Sequence, residues 1–284
     1  MSQIFILIDG SYFCFYRYYS LLSWWKRAHP EEVLEEPFEN PIFVDKFKHL
    51  FQENIQTLIK KIIENENEKE NIILEKDVVL MVGKDCSRKD IWRRQLFPEY
   101  KANRNYDNFK GGPFFKMVYE DELFLKAGIK TLLYHPHLEA DDCIALTTKH
   151  LLLNRYDSKI YIITSDKDYL QLVEPRVQIF DLAFKNIALN KSSTQDAKCD
   201  LFCKIVLGDV SDNIPPLFKK CGPKTVKKYY DNPCLFLEKI KIEEKEEHFE
   251  FNKTLVDFSR IPEHLIEEFF DKNDLNLYLS TPII

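Results

Sequence analysis

Glycine is scarce, with seven in 284 residues, and proline is modest at 13. That composition excludes a collagen-like chain and one dominated by flexible linkers. No apolar run approaches the roughly 18–20 residues that a membrane-spanning helix requires, so no membrane is expected as a partner. The first apolar stretch, Ile4 to Ile8, is interrupted by Asp9 and lacks the basic lead-in of a signal peptide. The seven cysteines are odd in number and scattered; the nearest two, Cys199 and Cys203, have no second Cys or His pair to complete a zinc quartet. Free thiols and an intracellular location are the expectation. There is no GxxxxGK(S/T) loop, which excludes a P-loop nucleotide site.

What is present is an apolar fraction of 45%, ample for one large domain or a core with an appendage. Four short apolar runs, Ile4–Ile8, Val78–Val82, Ile129–Tyr134 and Ile160–Thr164, are continuous rather than alternating, as in strands buried on both faces of a parallel sheet. Between them lie helical patterns. Phe43, Phe47, Leu50, Phe51, Ile55, Leu58, Ile59 and Ile62 share one face of a long helix, and Ala140 to Leu153 forms another. The Glu/Asn run at 64–70 reads as a solvated loop. The expected fold class is therefore α/β: an open, mostly parallel sheet flanked by helices over residues 1–187. A helical portion follows over 188–284, with a helix–turn–helix at 198–232 whose second helix starts at Gly222-Pro223.

Acids follow each strand: Asp9, then Lys84-Asp85, then Glu139-Ala140-Asp141-Asp142, then Asp166-Lys167-Asp168. In an open parallel sheet the carboxyl ends of the strands share one edge, so these seven carboxylates converge on one rim. Asp209 and Asp212 follow at the entrance to the helix–turn–helix. Any one of them is ordinarily a helix cap or a solvated loop residue. Together they would repel one another unless cations neutralise them. An all-oxygen set favours Mg²⁺ or Mn²⁺ over zinc. Many carboxylates at one rim suit two such ions acting on a phosphoryl group. His135 and His137 lie near Glu139 but are not counted with the site.

The formal net charge of −6 conceals two basic stretches. Residues 84–110 hold Lys84, Arg88, Lys89, Arg93, Arg94, Lys101, Arg104 and Lys110 against four acids, with Trp92, Phe97, Tyr100, Tyr106 and Phe109 interleaved. Bases between flat rings suit single-stranded nucleic acid, although an ordinary amphipathic helix with a solvated face reads the same way. Lys219, Lys220, Lys224, Lys227 and Lys228 form a second patch, and Cys221-Gly222-Pro223-Lys224-Thr225 offers backbone N–H groups at a helix start for a duplex phosphate. Eight aromatic residues crowd residues 12–25; most suit the core, and one or two would serve to stack on a base.

These motifs, in this order, resemble the flap endonuclease/5′→3′ exonuclease family, which includes the 5′-nuclease domain of bacterial DNA polymerase I; the look is nearest to the phage ribonuclease H branch and similar viral enzymes. The carriers are Ile8-Asp9-Gly10; Asp85 with Trp92-Arg93-Arg94 and Tyr100-Lys101-Ala102-Asn103-Arg104; Glu139-Ala140-Asp141-Asp142; Thr164-Ser165-Asp166-Lys167-Asp168; and Gly208-Asp209-Val210-Ser211-Asp212-Asn213-Ile214. The resemblance implies a PIN-like or resolvase-like core and a Mg²⁺-dependent 5′ nuclease acting on flaps, nicks or RNA primers in replication or repair. It assigns Asp9, Asp85, Glu139 and Asp141 to a first metal site. Asp166, Asp168, Asp209 and Asp212 go to a second, with Asp142 beside both. It makes Arg93 and Lys101 the residues that hold the scissile phosphate. Residues 86–115 become an arch for a 5′ single strand, with Arg88, Arg94 and Arg104 on nucleic acid, and the helix–turn–helix grips duplex through Lys219, Lys220, Gly222, Lys224 and Thr225. Lys220 stands where the family turn carries a first glycine, which leaves a monovalent-cation site there open. The implied partner is DNA with a 5′ single-strand/duplex junction, or an RNA–DNA hybrid, bound by a monomer. A sliding clamp or a single-strand-binding protein stays open as a partner, and Ile266-Glu267-Glu268-Phe269-Phe270 lacks the Gln of a clamp motif. Two other readings remain: a catalytically silent nucleic-acid scaffold and a PIN-type ribonuclease.

Overall fold

The computed structural model describes residues 3–67, 74–105, 107–191 and 193–278. Five parallel strands, β1 (Ile4–Asp9), β2 (Val78–Gly83), β3 (Thr131–Leu133), β4 (Lys159–Ile163) and β5 (Val177–Phe180), lie in the order β3-β2-β1-β4-β5. The central strand pairs along its length with both neighbours, Ile4 with Val78 and Lys159. Its side chains alternate between two cores: Ile4, Ile6 and Ile8 enter a phenylalanine-rich cluster, while Phe5 and Leu7 enter the other. This two-sided burial explains the continuous apolar runs.

The first core lies under α1 (Gly10–Ala28) and α2 (Pro41–Asn67), whose Phe43, Phe47, Phe51, Ile55, Leu58, Ile59 and Ile62 are buried as the periodicity requires. The short α3 (Arg93–Leu96) precedes α4 (Gly112–Glu120) and α5 (Leu123–Lys126), and the latter two also pack here. The second core lies under α6 (Ala140–Asn154). Gly10 is required where α1 leaves β1, since a Cβ there would sit 2.6 Å from the Gly83 carbonyl oxygen at the end of β2.

Four helices follow: α7 (Ala197–Leu207), α8 (Pro223–Asp231), α9 (Pro233–Ile242) and α10 (Glu246–Val256). They form their own core around Val206, Leu217, Phe218, Val226, Phe236 and Ile240. Asn252 in α10 donates to the Ile205 and Pro215 carbonyls at 3.0 and 2.9 Å, fixing α7 to the chain that follows it. Then α11 (Glu263–Lys272) returns to the sheet, with Leu265 and Phe269 in the second core.

Two expectations change. A fifth strand, β5, follows the four expected ones; its Gln178 breaks the apolar run that marks the others. Glu64–Asn67 is the last turn of α2 rather than loop, because Glu66 is buried there against Lys159 and the Tyr161 hydroxyl; residues 68–70 lie outside the described residues. The helical portion packs on the sheet core: α11 lies against the sheet and the Asn273 side chain bonds both backbone groups of Tyr134 at 3.1 Å. Among the described residues no helix is long and apolar enough to cross a membrane.

Candidate metal centre and nucleic-acid interface

The carboxyl ends of β1, β2 and β4 open into a cavity of about 270 Å³ lined by Asp9, Asp85, Glu139, Asp141, Asp166, Lys101 and Arg104, among others. Local structure aims each acid. Asp9 caps α1 by accepting from the Tyr12 N–H at 2.9 Å, and its other oxygen accepts from the Thr164 and Tyr169 hydroxyls at 3.3 and 3.2 Å. Asp85 accepts from the Ala140 N–H at 2.8 Å and from the Ser11 hydroxyl, which ties β2 to the start of α6. The capping role expected of a lone Asp is thus real, and it orients the same carboxylates toward the cavity.

The acids divide into two electrostatic groups. Asp9, Asp85 and Asp141 make no ion pair among the described residues. Burial, then Asp85 and Asp166, push the Asp9 carboxyl up to about 7. Burial raises Asp85, and burial with Asp142 and Glu139 holds Asp141 well above the ordinary carboxylate range. The other group is compensated. Burial acts to raise Glu139 too, but the Lys101 amine at 2.5 Å and Arg93 outweigh it and hold the carboxyl low. Asp212 takes Arg104 at 2.6 Å, with Lys101 at 3.8 Å. The Lys204 amine contacts both Asp168 and Asp209, the latter at 2.7 Å, and although burial opposes it, Lys204 brings Asp209 down to about 2.

A divalent cation fits this donor set. All the oxygens are carboxylate, hard ligands of the kind Mg²⁺ and Mn²⁺ take. Oxygens of Glu139, Asp141 and Asp142 approach within 4.8 Å of one another. Asp142 is also engaged by the protein. It accepts from Arg93 twice at 2.7 Å, from the Trp92 indole at 3.0 Å and from the Glu139 N–H at 3.2 Å, and it is fully buried. It thus braces the wall behind Glu139 while its Oδ1, with one donor, stays a candidate ligand atom beside the other acids.

Arg93, expected to hold the scissile phosphate, packs beside Asp142. The guanidinium is 2% exposed, bonds the Leu255 carbonyl at 2.7 Å as well as the acids, and does not line the cavity. Arg104, further along the same segment, is the arginine that does. Trp92 and Tyr100 are buried, and the Tyr100 hydroxyl reaches Glu139 and Asp212 at 3.1 and 3.2 Å, so neither ring is a stacking platform. Phe97 packs on Phe251 and Phe109 on Phe15 of α1; Tyr106 lies outside the described residues. The basic-aromatic segment thus crosses from the Asp209–Asp212 loop, where the Lys101 N–H meets the Asp212 carbonyl at 3.0 Å, to α1. Arg88 donates to the Lys101 and Arg104 carbonyls and Arg94 to the Tyr100 carbonyl, so both brace this crossing. Lys101 itself sits at φ 56°, a strained position that turns its amine inward.

Ser165 and Asp166 are shared with a second cavity of about 710 Å³, which contains Asp168, Asp209 and Lys204 and reaches Pro223 and Lys227 of α8. Lys219, Lys220, Lys224 and Thr225 are exposed at the entrance to α8, and Gly222 is its N-cap. On the other side, Tyr12 and Phe15 are shared with a groove of about 530 Å³ along α1, lined also by Tyr16, Tyr19 and Arg27. Phe13, Tyr18 and Trp25 are buried in the core. His135 bonds Glu268 at 3.0 Å and His137 bonds the Asp90 carbonyl, both away from the cavity lining. Sequence reasoning missed Lys204, Ser11 and Thr164. Lys204 carried one faint signal, a charge between apolar Cys203 and Ile205 directly ahead of Gly208-Asp209.

The family described as the 5′-3′ exonuclease, N-terminal resolvase-like domain, matches residues 4–199. A 5′-3′ exonuclease of Mycoplasmopsis pulmonis is 30% identical over 250 residues, covering 84% of this chain and 69% of that protein. One from Buchnera aphidicola is 37% identical over 150 residues, covering 50% of this chain and 48% of its own. The chain therefore spans about half the length of the latter relative. A bacteriophage T5 protein co-crystallised with metal ions superposes with a TM-score of 0.63 at 17% identity, covering 98% of this chain and 100% of that one. The T5 flap endonuclease in a pseudo-enzyme-product complex with DNA and metal ions gives 0.65 at 16% identity, over the same shares. At such identities the likeness is one of fold.

Proposed function

The chain belongs to the 5′-3′ exonuclease family, and from that membership we propose that it is a divalent-metal-dependent 5′ nuclease that hydrolyses DNA at 5′ single-strand/duplex junctions. The observation that carries this reading is the set of half-buried carboxyls Asp9, Asp85 and Asp141, which carry no ion pair among the described residues and face one cavity beside the cations of Lys101 and Arg104. Two Mg²⁺ ions are the cofactor the reading takes. Asp9, Asp85, Glu139 and Asp141 would hold the first; Asp166, Asp168, Asp209 and Asp212 would hold the second. When bound, such ions activate water and neutralise charge on the phosphate and leaving oxygen.

The chain's own part is positioning. Lys101 and Arg104 offer positive charge at the mouth of the cavity to the non-bridging oxygens, where charge grows as water adds to phosphorus and the bond to the 3′ oxygen breaks. Tyr12 and Phe15 offer rings to the nucleotide beside that phosphate. The exposed lysines at the entrance to α8, with the N–H groups at its start, would take the backbone of the downstream duplex without reading sequence. The second cavity runs from the acids to Pro223 and Lys227 of α8, which supports duplex and scissile phosphate being held at once.

The test is a panel of 5′-labelled substrates: a DNA flap, a nicked duplex, an RNA–DNA hybrid and single-stranded RNA. Preference for the flap or hybrid is expected. Preference for single-stranded RNA would favour a PIN-type ribonuclease, and binding without cleavage would favour a silent scaffold.

A further inference from the structure

Lys204 occupies a place that the two-cation reading above assigns to metal. Its amine bridges Asp168 and Asp209, two of the four carboxylates of the second group, and all three side chains are largely buried, at 16%, 13% and 21% exposure. We propose that Lys204 is a resident counter-cation of the second acid group, which a second divalent ion must displace, so that filling of this group is coupled to the arrival of a substrate phosphate. The inference rests on that reading and adds an order of events to it.

The asymmetry between the two groups supports it. Lys101 pairs with Glu139 and lines this cavity with Arg104, but nothing cationic pairs with Asp9, Asp85 or Asp141 among the described residues, so a divalent ion entering there meets three carboxyls with no ammonium between them. At Asp168 and Asp209 the same ion meets an ammonium between the two carboxylates. Both cannot stand there, because like charges a few ångströms apart in a partly buried site repel strongly.

The geometry also says which part moves. The α7 backbone at Lys204 is fixed, with Ile205 and Val206 buried and Asn252 bonded to the Ile205 carbonyl. The four-carbon stem of a lysine is flexible, and Lys204 lines the 710 Å³ cavity that a duplex phosphate would enter. A phosphate oxygen there gives the amine an alternative anion as the second ion takes its place. Without DNA, the chain should hold one divalent ion tightly and the second only weakly.

Manganese binding to the full chain without DNA tests this, by isothermal titration and by electron paramagnetic resonance of free Mn²⁺. Wild-type protein should bind one ion tightly and a second weakly. Lys204→Met should tighten the second site by about tenfold or more, and leave the first unchanged. Lys204→Arg, which keeps the charge, should behave as wild type. Circular dichroism checks folding, and thermal melting adds a second readout: the Met variant, with Asp168 and Asp209 uncompensated, should melt lower without metal and gain more from Mn²⁺. A second site no tighter in Lys204→Met than in wild type, with the first site intact, would overturn the proposal and leave the nuclease reading standing. Absence of Mn²⁺ binding in both proteins would overturn both.

Discussion

The Arg93 guanidinium closes on the Asp142 carboxylate through two hydrogen bonds of 2.7 Å, and neither side chain lines the cavity. A buried pair of this kind is costly to break from one side, about 3–5 kcal/mol, because the remaining charge is left uncompensated. Arg93→Ala should lower stability in urea denaturation by roughly that amount, and Arg93→Lys should not restore it, lacking the two-pronged geometry. Wild-type stability in Arg93→Ala would contradict the assignment.

Arg104 and Lys101 should separate from Arg93 in the opposite sense. Arg104 is partly exposed and pairs with Asp212, so Arg104→Ala should cost about 1 kcal/mol of stability, well below Arg93→Ala. Single-turnover cleavage should fall by about 10²-fold in Arg104→Ala and in Lys101→Ala, with substrate affinity much less affected. An unchanged cleavage rate in both would remove them from the reaction.

Much of this was legible beforehand, and the part that was not has one physical cause. Continuous apolar strands, an acid after each strand and Gly222-Pro223 at a helix start are local signals, and the sheet, the rim and α8 follow from them. Whether a charged or aromatic residue faces a ligand or a buried partner is not local. Arg93, Trp92 and Tyr100 share a segment with Arg104 and Lys101, yet the first three turn toward Glu139, Asp142 or Asp212, which lie tens of residues away. Lys204 was missed for the same reason, since its partner Asp168 lies 36 residues back in the chain.

Asp9 makes the response to metal depend on pH. Its carboxyl titrates at about 7 in the folded chain against an ordinary 3.8, so between these values the folded state holds a proton that the unfolded state has lost. Stability of the metal-free protein from this group is greatest below 3.8 and falls as pH rises through 7. A divalent ion needs the carboxylate, so its stabilisation grows across the same window. The rise in Tm on adding Mg²⁺ should be larger at about pH 8 than at about pH 6; an equal rise would contradict a half-buried Asp9 that holds its proton at about pH 6.

The lysines at the entrance to α8 should act through phosphate alone. Replacing Lys219, Lys220 and Lys224 together by Ala should weaken duplex binding alike for unrelated sequences. It should also flatten the dependence of log affinity on log salt by roughly 0.9 for each phosphate that the variant no longer neutralises. Fluorescence anisotropy over a salt series measures this, and an unchanged slope would move the duplex off this surface.

The central claim is that the acid rim binds divalent metal for phosphodiester hydrolysis. Its most direct test is cleavage of a 5′-labelled DNA flap by wild type and by Asp9→Asn, each with Mg²⁺ and with chelator. Wild type should cut near the junction only with Mg²⁺, and Asp9→Asn should bind the flap with similar affinity while losing most of the cutting. Cleavage that survives chelation, or an Asp9→Asn variant as active as wild type, would contradict the account.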